Sequence, residues 1–436
     1  MAVTVIDLDL APPPAAESWR PSRRVRRVLR SIRRQVRPIL AAAFVAAAAM
    51  TLGAASTAAP GPTRVLSVAG PEVRESLLTR SVFYTAEAGE TPGPGSTIRA
   101  RPLVAGAPDW TAMVPQSGDQ LSLSLVGGVL IVGTAGPSPV TFLDAATGAK
   151  RWQIEQDAEI FPGADAVLVR TPGLDEGPDE APDRLWLADL RSGRTIWSRP
   201  VGRPVAVDVD RTATGSLGHV LTVDRGGRAT IYRFADGRVL ASGALGVEPE
   251  RWDGADPDRV AMVSVLGGRL YVLSADGDRG TVTAYRLDTL ARLWSAGPVP
   301  RGRARGCAGM LCVAGDAGVA ALNPGNGSIR WTDRRWYTAT ASVEGLILGA
   351  DAEETRMALL DPATGRVARS PGNGVVRAGL LLRSDSRAAD RMWITDLVTG
   401  DVLGRLDGII APGCAVAAAY LSCPTSHNTF DVWRLV

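Results

Sequence analysis

Lysine is almost missing from this sequence: Lys150 is the one lysine among 48 basic residues, and histidine occurs only as His219 and His427. The arginine excess reads as the codon usage of a GC-rich genome. It does not describe a nucleic-acid surface, because the positive charge is confined to one end. Nine arginines and three acids fall within residues 1–37, a surplus of six, and the rest of the chain is net acidic by three. A phosphate-binding body needs the opposite distribution. No nucleic-acid partner is expected. The sequence also lacks a Gly-x-Ser-x-Gly elbow, a phosphate loop and a His-Glu-x-x-His helix, which excludes the usual signatures of serine hydrolases, nucleotide-binding enzymes and zinc proteases.

Charge is absent altogether from residues 38–63. Within that span, residues 39–59 (ILAAAFVAAAAMTLGAASTAA) have the length a helix needs to cross hydrocarbon, although 11 of the 21 are alanine. The arginines lie immediately before it, so the positive-inside bias holds the N-terminus in the cytoplasm and exports the C-terminal body. The expected organisation is a basic cytoplasmic tail at 1–37, a transmembrane helix or signal anchor at 38–59, a linker at 60–79 and a folded body at 80–436. A cleaved signal peptide, with small residues at Ser56-Thr57-Ala58, is the alternative. Either reading puts the body outside the cytoplasm.

Aromatic residues are scarce, at 5% of the chain, yet 11 are tryptophan against six tyrosines and six phenylalanines. A repeat accounts for the skew. One phrase recurs as FLDAATGAKRW at 142–152, LADLRSGRTIW at 187–197 and ALNPGNGSIRW at 321–331. Each has Asp or Asn eight residues before Trp and Gly four before it, giving Asp144/Gly148/Trp152, Asp189/Gly193/Trp197 and Asn323/Gly327/Trp331. Weaker copies carry Asp361/Gly365, Asp396/Gly400 and Trp294, and a degenerate first copy ends at Trp110. Before each copy stands an apolar strand such as GGVLIVGT or GGRLYVLS. Asp or Asn closes an Asx-turn and Gly supplies the left-handed residue of a hairpin. A tryptophan at fixed offset then points from an outer strand to the neighbouring sheet, where it buries on the order of 200 Å². Trp110, Trp152, Trp197, Trp294 and Trp331 are therefore expected to dock successive sheets.

The pattern Ala-x-Asp-x-x-Thr-Gly-x-x-x-Trp, best matched at 142–152, resembles the repeat of the pyrroloquinoline-quinone (PQQ) type propellers. The resemblance spans residues 80–436. It implies an all-β fold, a β-propeller; counting strand pairs gives eight blades, with seven or nine also compatible, and the transmembrane helix read from the charge-free span precedes it. A strand from 64–67 or 109–115 is expected to close the last blade, since ring closure removes the raw sheet edge. The superfamily includes quinoprotein dehydrogenases and also a lipoprotein of outer-membrane assembly that uses the fold without the quinone.

Four cysteines allow three pairings. The local ones, Cys307 with Cys312 across a turn at Gly309-Met310 and Cys414 with Cys423 across a turn at Ala418-Ala419, fit an oxidising exterior. Tetrahedral zinc is the rival. Redox members of the resembled family carry adjacent cysteines and calcium-binding carboxylates beside the quinone, and no Cys-Cys pair occurs here. The acidic stretch 171–184 and the cluster Asp253, Asp256 and Asp258 are the two places calcium could sit, while Asp276-Gly277-Asp278 reads as a hairpin tip. No catalytic, cofactor or metal residue is assigned, neither PQQ nor calcium being supported. The expected function is a membrane-anchored, extracytoplasmic, non-catalytic scaffold for a protein, peptide or envelope partner. A membrane-tethered PQQ-dependent oxidoreductase is the alternative, and a sensor acting through the cytoplasmic tail is a third reading.

Overall fold

The computed structural model describes residues 61–435 except 71–72, 89–94, 117–120, 135–137, 164, 172–181, 212–216, 253–258, 342, 354–355 and 386–387. The expected tail and membrane helix at 1–37 and 38–59 lie outside the described residues. So do most of the acidic stretch 171–184 and Asp253, Asp256 and Asp258. Among the described residues, no helix is long and apolar enough to cross a membrane.

The described chain is all-β, with three single-turn 3₁₀ segments. Its antiparallel sheets form nine blades: 73–114, 121–158, 159–201, 204–244, 259–300, 303–333, 338–372, 375–407, and a ninth built from 415–434 plus Thr63–Ala69. Blades 2 and 3 share one long strand, Lys150–Pro162. Its first part pairs as the outermost strand of blade 2 and its last four residues as the innermost strand of blade 3.

Nine blades replace the eight expected from the repeat. The Trp/Gly phrase is degenerate in blade 1 and absent from blade 9, so a count of phrases loses a blade. The innermost strand of blade 1, Val73–Leu78, also falls inside the 60–79 stretch read as a linker. The blades thus begin at Thr63 and not near residue 80. Closure uses the N-terminal segment expected for it: Thr63–Ala69 pairs antiparallel with Thr429–Arg434. Residues 109–115 instead belong to blade 1, as its outermost strand Trp110–Val114.

The core is distributed around the ring. Nine buried apolar clusters occur among the described residues, and each spans one blade-to-blade interface, including that between blade 9 and blade 1 (Val68, Tyr420 and Val432 against Leu78 and Phe83). This explains the apolar run Val129–Thr134, buried along almost its whole length. A middle strand sandwiched between two other sheets has no solvent face, so it cannot alternate.

At five interfaces the tryptophan of one blade meets the turn of the next. The indole N–H groups of Trp110, Trp152, Trp197, Trp294 and Trp331 donate to the carbonyls of Ala145, Leu190, Phe234, Pro324 and Pro362 at 2.7–3.1 Å. Each ring also lies flat on a turn glycine. A Cβ on Gly148, Gly193 or Gly365 would sit 2.5 Å from the indole, and one on Gly327 would overlap the Trp294 ring. These glycines have φ near +70°, so both backbone and space require glycine.

The glycine of a phrase does not serve the tryptophan of the same phrase. The repeat sets Gly327 beside Trp331, four residues on, as a hairpin-turn residue. In the fold Gly327 does take the left-handed conformation, with φ 74°, but it lies just past the turn and is buried. The ring that covers it is Trp294 of the preceding blade, and Trp331 passes on to Gly365 of the following one. The physical reason is the hairpin itself. It sends the strand of Trp331 away from the turn, so only an indole arriving from the adjacent sheet can lie on the glycine.

Candidate functional site: the axial cavity

In a propeller the innermost strands have sheet partners on one side only, so their other edges face the axis. Two adjoining cavities open there. One, of about 740 Å³, lies between the innermost strands of blades 3 to 6, and the other, of about 440 Å³, lies between those of blades 6 and 7. They share Met262, Arg303 and Arg305, which makes them one continuous groove.

Two unlike sets of side chains line the groove. Phe161, Val205, Val207 and Val263 give the larger cavity an apolar side. The innermost strand of blade 6, Arg303–Cys307, brings Arg303 and Arg305 into the same cavity, and Arg301 just before it lines the smaller cavity with them. Alternation on that strand explains the arrangement. Ala304 is buried in the blade 5–6 core while Arg303 and Arg305 are exposed on the other face. Among the described residues, none of Arg301, Arg303 and Arg305 has a side-chain hydrogen bond or ion pair. Tyr337, Thr338 and Thr340 add hydroxyls across the smaller cavity, and Asp316 stands at its edge. In the larger cavity the Glu159 carboxylate is paired with Arg170 at 3.3 Å. The Asp208 carboxylate accepts the backbone N–H groups of Val265 (2.9 Å) and Val209 (2.8 Å), which ties blade 4 to blade 5 at the axis.

The cysteines form two hairpin disulfides, Cys307–Cys312 and Cys414–Cys423. For the second, the two-residue turn at Ala418-Ala419 follows the pairing Ala417↔Tyr420, and the Cα atoms are 4.1 Å apart. The first departs from expectation. Its turn is Ala308-Gly309, both with positive φ (48° and 79°), so Cys307 faces Met310 and Cys312 faces Arg305. A two-residue hairpin turn with positive φ at both positions accepts Ala-Gly more readily than Gly-Met. The bridge is therefore diagonal, with a Cα separation of 5.9 Å, and it anchors the end of the strand that carries Arg303 and Arg305.

The repeat residues lie elsewhere. The five tryptophans sit on outermost strands, and Asp144, Asp189, Asn323, Asp361 and Asp396 sit in the turns that lead into them, each accepting one or two backbone N–H groups of its own turn. The turn glycines Gly148, Gly193, Gly327, Gly365 and Gly400 follow four residues later in each case. The Asp189 carboxyl is held below the usual carboxylate range by the hydroxyl and N–H of Ser192, and Asp361 by those of Thr364. For Asp144, partial desolvation acts upward but the N–H of Ala146 and the Arg151 guanidinium outweigh it, so its pKa is also lowered. None of these residues lines the axial groove; of the residues singled out in the repeat and the cysteine pairs, only Cys307 lies on the arginine-bearing strand. His219 faces Asp210 at 3.4 Å and His427 lies in the last turn of blade 9. Among the described residues, no three His, Cys, Asp or Glu side chains converge as metal ligands. The four cysteines are taken up as one disulfide in each of two hairpins, so they do not form the adjacent-cysteine pair that the resemblance attaches to the quinone enzymes.

Sequence reasoning missed Arg301, Arg303 and Arg305, although the signal was present. RGRARG at 301–306 alternates arginine with Gly or Ala, which on a strand gathers the cations on one side.

A family model described as the outer membrane protein assembly factor BamB matches residues 96–296, which is blade 1 from its third strand through nearly all of blade 5. Over that stretch the chain is similar to the PQQ-like β-propeller repeat proteins. No curated protein matches the sequence. Among solved structures, BamB from Moraxella catarrhalis is 16% identical, with 86% of this chain and 100% of that chain covered and a TM-score of 0.43. A europium-containing methanol dehydrogenase is 13% identical, with 83% and 84% covered and a TM-score of 0.42. A eukaryotic initiation factor is 13% identical, with 81% and 93% covered and a TM-score of 0.54. Such likeness speaks to the propeller fold alone, because propellers of one shape host unrelated functions.

Proposed function

We propose that this chain is a membrane-anchored, extracytoplasmic β-propeller that acts as a non-catalytic scaffold for a protein partner in the cell envelope. The observation that carries the reading is the axial groove, where the unpaired guanidiniums of Arg303 and Arg305 share a cavity with apolar side chains and Arg301 joins them in the adjoining one. Unpaired cations beside apolar surface form a binding surface that has not been satisfied within the chain. Two hairpin disulfides favour an oxidising compartment. The charge-free stretch at 38–63, with arginines before it, favours an anchor at 38–59 with the N-terminus inside. The match to an assembly-factor model favours a protein partner over a small substrate.

The test is photo-crosslinking in intact cells, with a crosslinker placed at Tyr337 in the anchored protein and the captured species identified by mass spectrometry. A defined envelope protein is the expected product. Recovery of nothing but other copies of this chain would remove the scaffold reading. A bound quinone absorbance on the purified protein would replace it with the oxidoreductase.

A further inference from the structure

We infer that the groove over Arg301, Arg303 and Arg305 receives an extended peptide segment whose acidic residues alternate with apolar ones. The inference rests on the scaffold reading and names the chemistry of its partner.

The argument begins with charge. Arginine stays protonated at any physiological pH, so the three guanidiniums on one wall repel each other until an anion is present. Among the described residues, Asp316 is the one carboxylate lining the smaller cavity, which leaves an excess of two positive charges there. A concave site concentrates that field. Guanidinium and carboxylate match as planar, two-point hydrogen-bonding partners.

Shape then selects among anions. Arg303 and Arg305 are two residues apart on an extended strand, about 7 Å along its axis. A second extended chain lying beside that strand repeats its own alternate side chains at the same interval. Its acids can face Arg303 and Arg305 while the residues between them turn to Phe161, Val207 and Val263 across the shared Met262. The free edges of the innermost strands add backbone donors and acceptors for such a chain, as in strand-addition recognition. A compact anion such as phosphate would use the cations and leave the apolar wall unused.

The arginines are held for this role. Gly302 and Gly315 let the two strands of the blade 6 hairpin approach so closely that a Cβ on either would strike the facing backbone carbonyl. The Cys307–Cys312 bridge fixes the far end of the same hairpin.

The experiment uses the full-length protein in detergent micelles and fluorescence anisotropy with a labelled peptide of glutamate–valine repeats. Binding is expected, with roughly tenfold or greater weakening in each of two comparisons: the glutamine–valine peptide, and the Arg303→Gln/Arg305→Gln double variant. Both arginines are exposed, so the double variant should melt like the parent. Arg238→Gln, on an exposed outer turn, should bind normally. The inference is overturned if the peptide fails to bind, if the double variant binds it as well as the parent, or if inorganic phosphate at equal charge displaces it fully. If the double variant still crosslinks the envelope partner in cells, this site is wrong and the scaffold reading stands. Peptide binding as expected with only self-crosslinks in cells would point the other way.

Discussion

The hydroxyl of Ser67 donates to the carboxylate of Asp431 at 2.6 Å, joining residues 364 apart in sequence across the seam where the ring closes. Arg64 reaches the other oxygen of the same carboxylate at 3.1 Å. Asp431 is 5% exposed, so its charge depends on these partners. Asp431→Ala leaves Ser67 and Arg64 without an acceptor and should cost about 2 kcal/mol. Urea unfolding measures it, and Asp431→Asn, which keeps one acceptor oxygen, should cost less. Equal losses in the two variants would show that the carboxylate only fills space.

The indole seats can be tested from either side. Trp152→Ala removes a stacked contact with Phe142, at 3.7 Å between ring centroids, and the hydrogen bond to Leu190. The expected loss is about 3–5 kcal/mol. On the other side, Gly193→Ala forces a Cβ into the Trp152 ring, whereas Gly400→Ala meets open space at a similar φ. Thermal melts should place Gly193→Ala well below Gly400→Ala.

Between blades 4 and 5 the tryptophan position is held by Ala241, and the seat carries Leu290 at φ 55° in place of glycine. Ala241 and Leu290 both pack against the blade 4–5 core, and Leu290 reaches to within 3.7 Å of where a Cβ on Gly243 would stand, two residues beyond Ala241. Ala241→Trp alone should therefore destabilise through overpacking, and Leu290→Gly alone through a cavity. Combined, they rebuild the arrangement of the other blades. A double-mutant cycle should show a favourable coupling of about 1–3 kcal/mol; simple additivity would refute the pairing.

Blade 7 offers Arg369 where blade 6 has Trp331, and the facing Gly400 has nothing within 4 Å of its Cβ direction. Arg369→Trp should fill that seat and raise stability by about 1 kcal/mol, read as a higher midpoint in thermal unfolding. A lower midpoint would mean that the blade 7–8 interface cannot close on the ring.

The turn carboxylates make stability pH-dependent with a definite sign. Asp189 and Asp361 have lowered pKa values in the folded state. Their contribution is complete above the unfolded value, about 3.9, and disappears as pH falls through the lower folded value. Urea midpoints should hold steady near neutrality and drop below about pH 4. Asp189→Asn, unable to titrate, should flatten part of that drop.

Much of the scaffold was legible because it repeats. Asp144, Gly148 and Trp152 recur at fixed offsets, and each residue type answers a local need of turn, left-handed backbone or interblade contact. Legibility failed where the repeat failed. Blade 9 turns on Asn428 with φ 55° instead of the Asp–Gly phrase, and blade 1 starts inside a stretch with no repeat mark. Which indole covers which glycine was also hidden, as Gly327 shows, because the offset within a phrase says nothing about the neighbouring blade. The Cys307–Cys312 register was misread by one residue because the choice between Ala308-Gly309 and Gly309-Met310 is made by the twist of the paired strands. The arginine groove went unread because it is assembled from strands of five blades.

Fold class, turn chemistry, tryptophan positions and the pairing of neighbouring cysteines each depend on residues within a few positions of one another, so local pattern is enough to read them. The number of blades, the seam through Asp431 and Ser67, and the meeting of Arg303 and Arg305 with Phe161 and Val207 emerge only on folding. Those depend on which strands come to lie beside the axis. Ring closure sets that arrangement, through contacts between residues that no local pattern links.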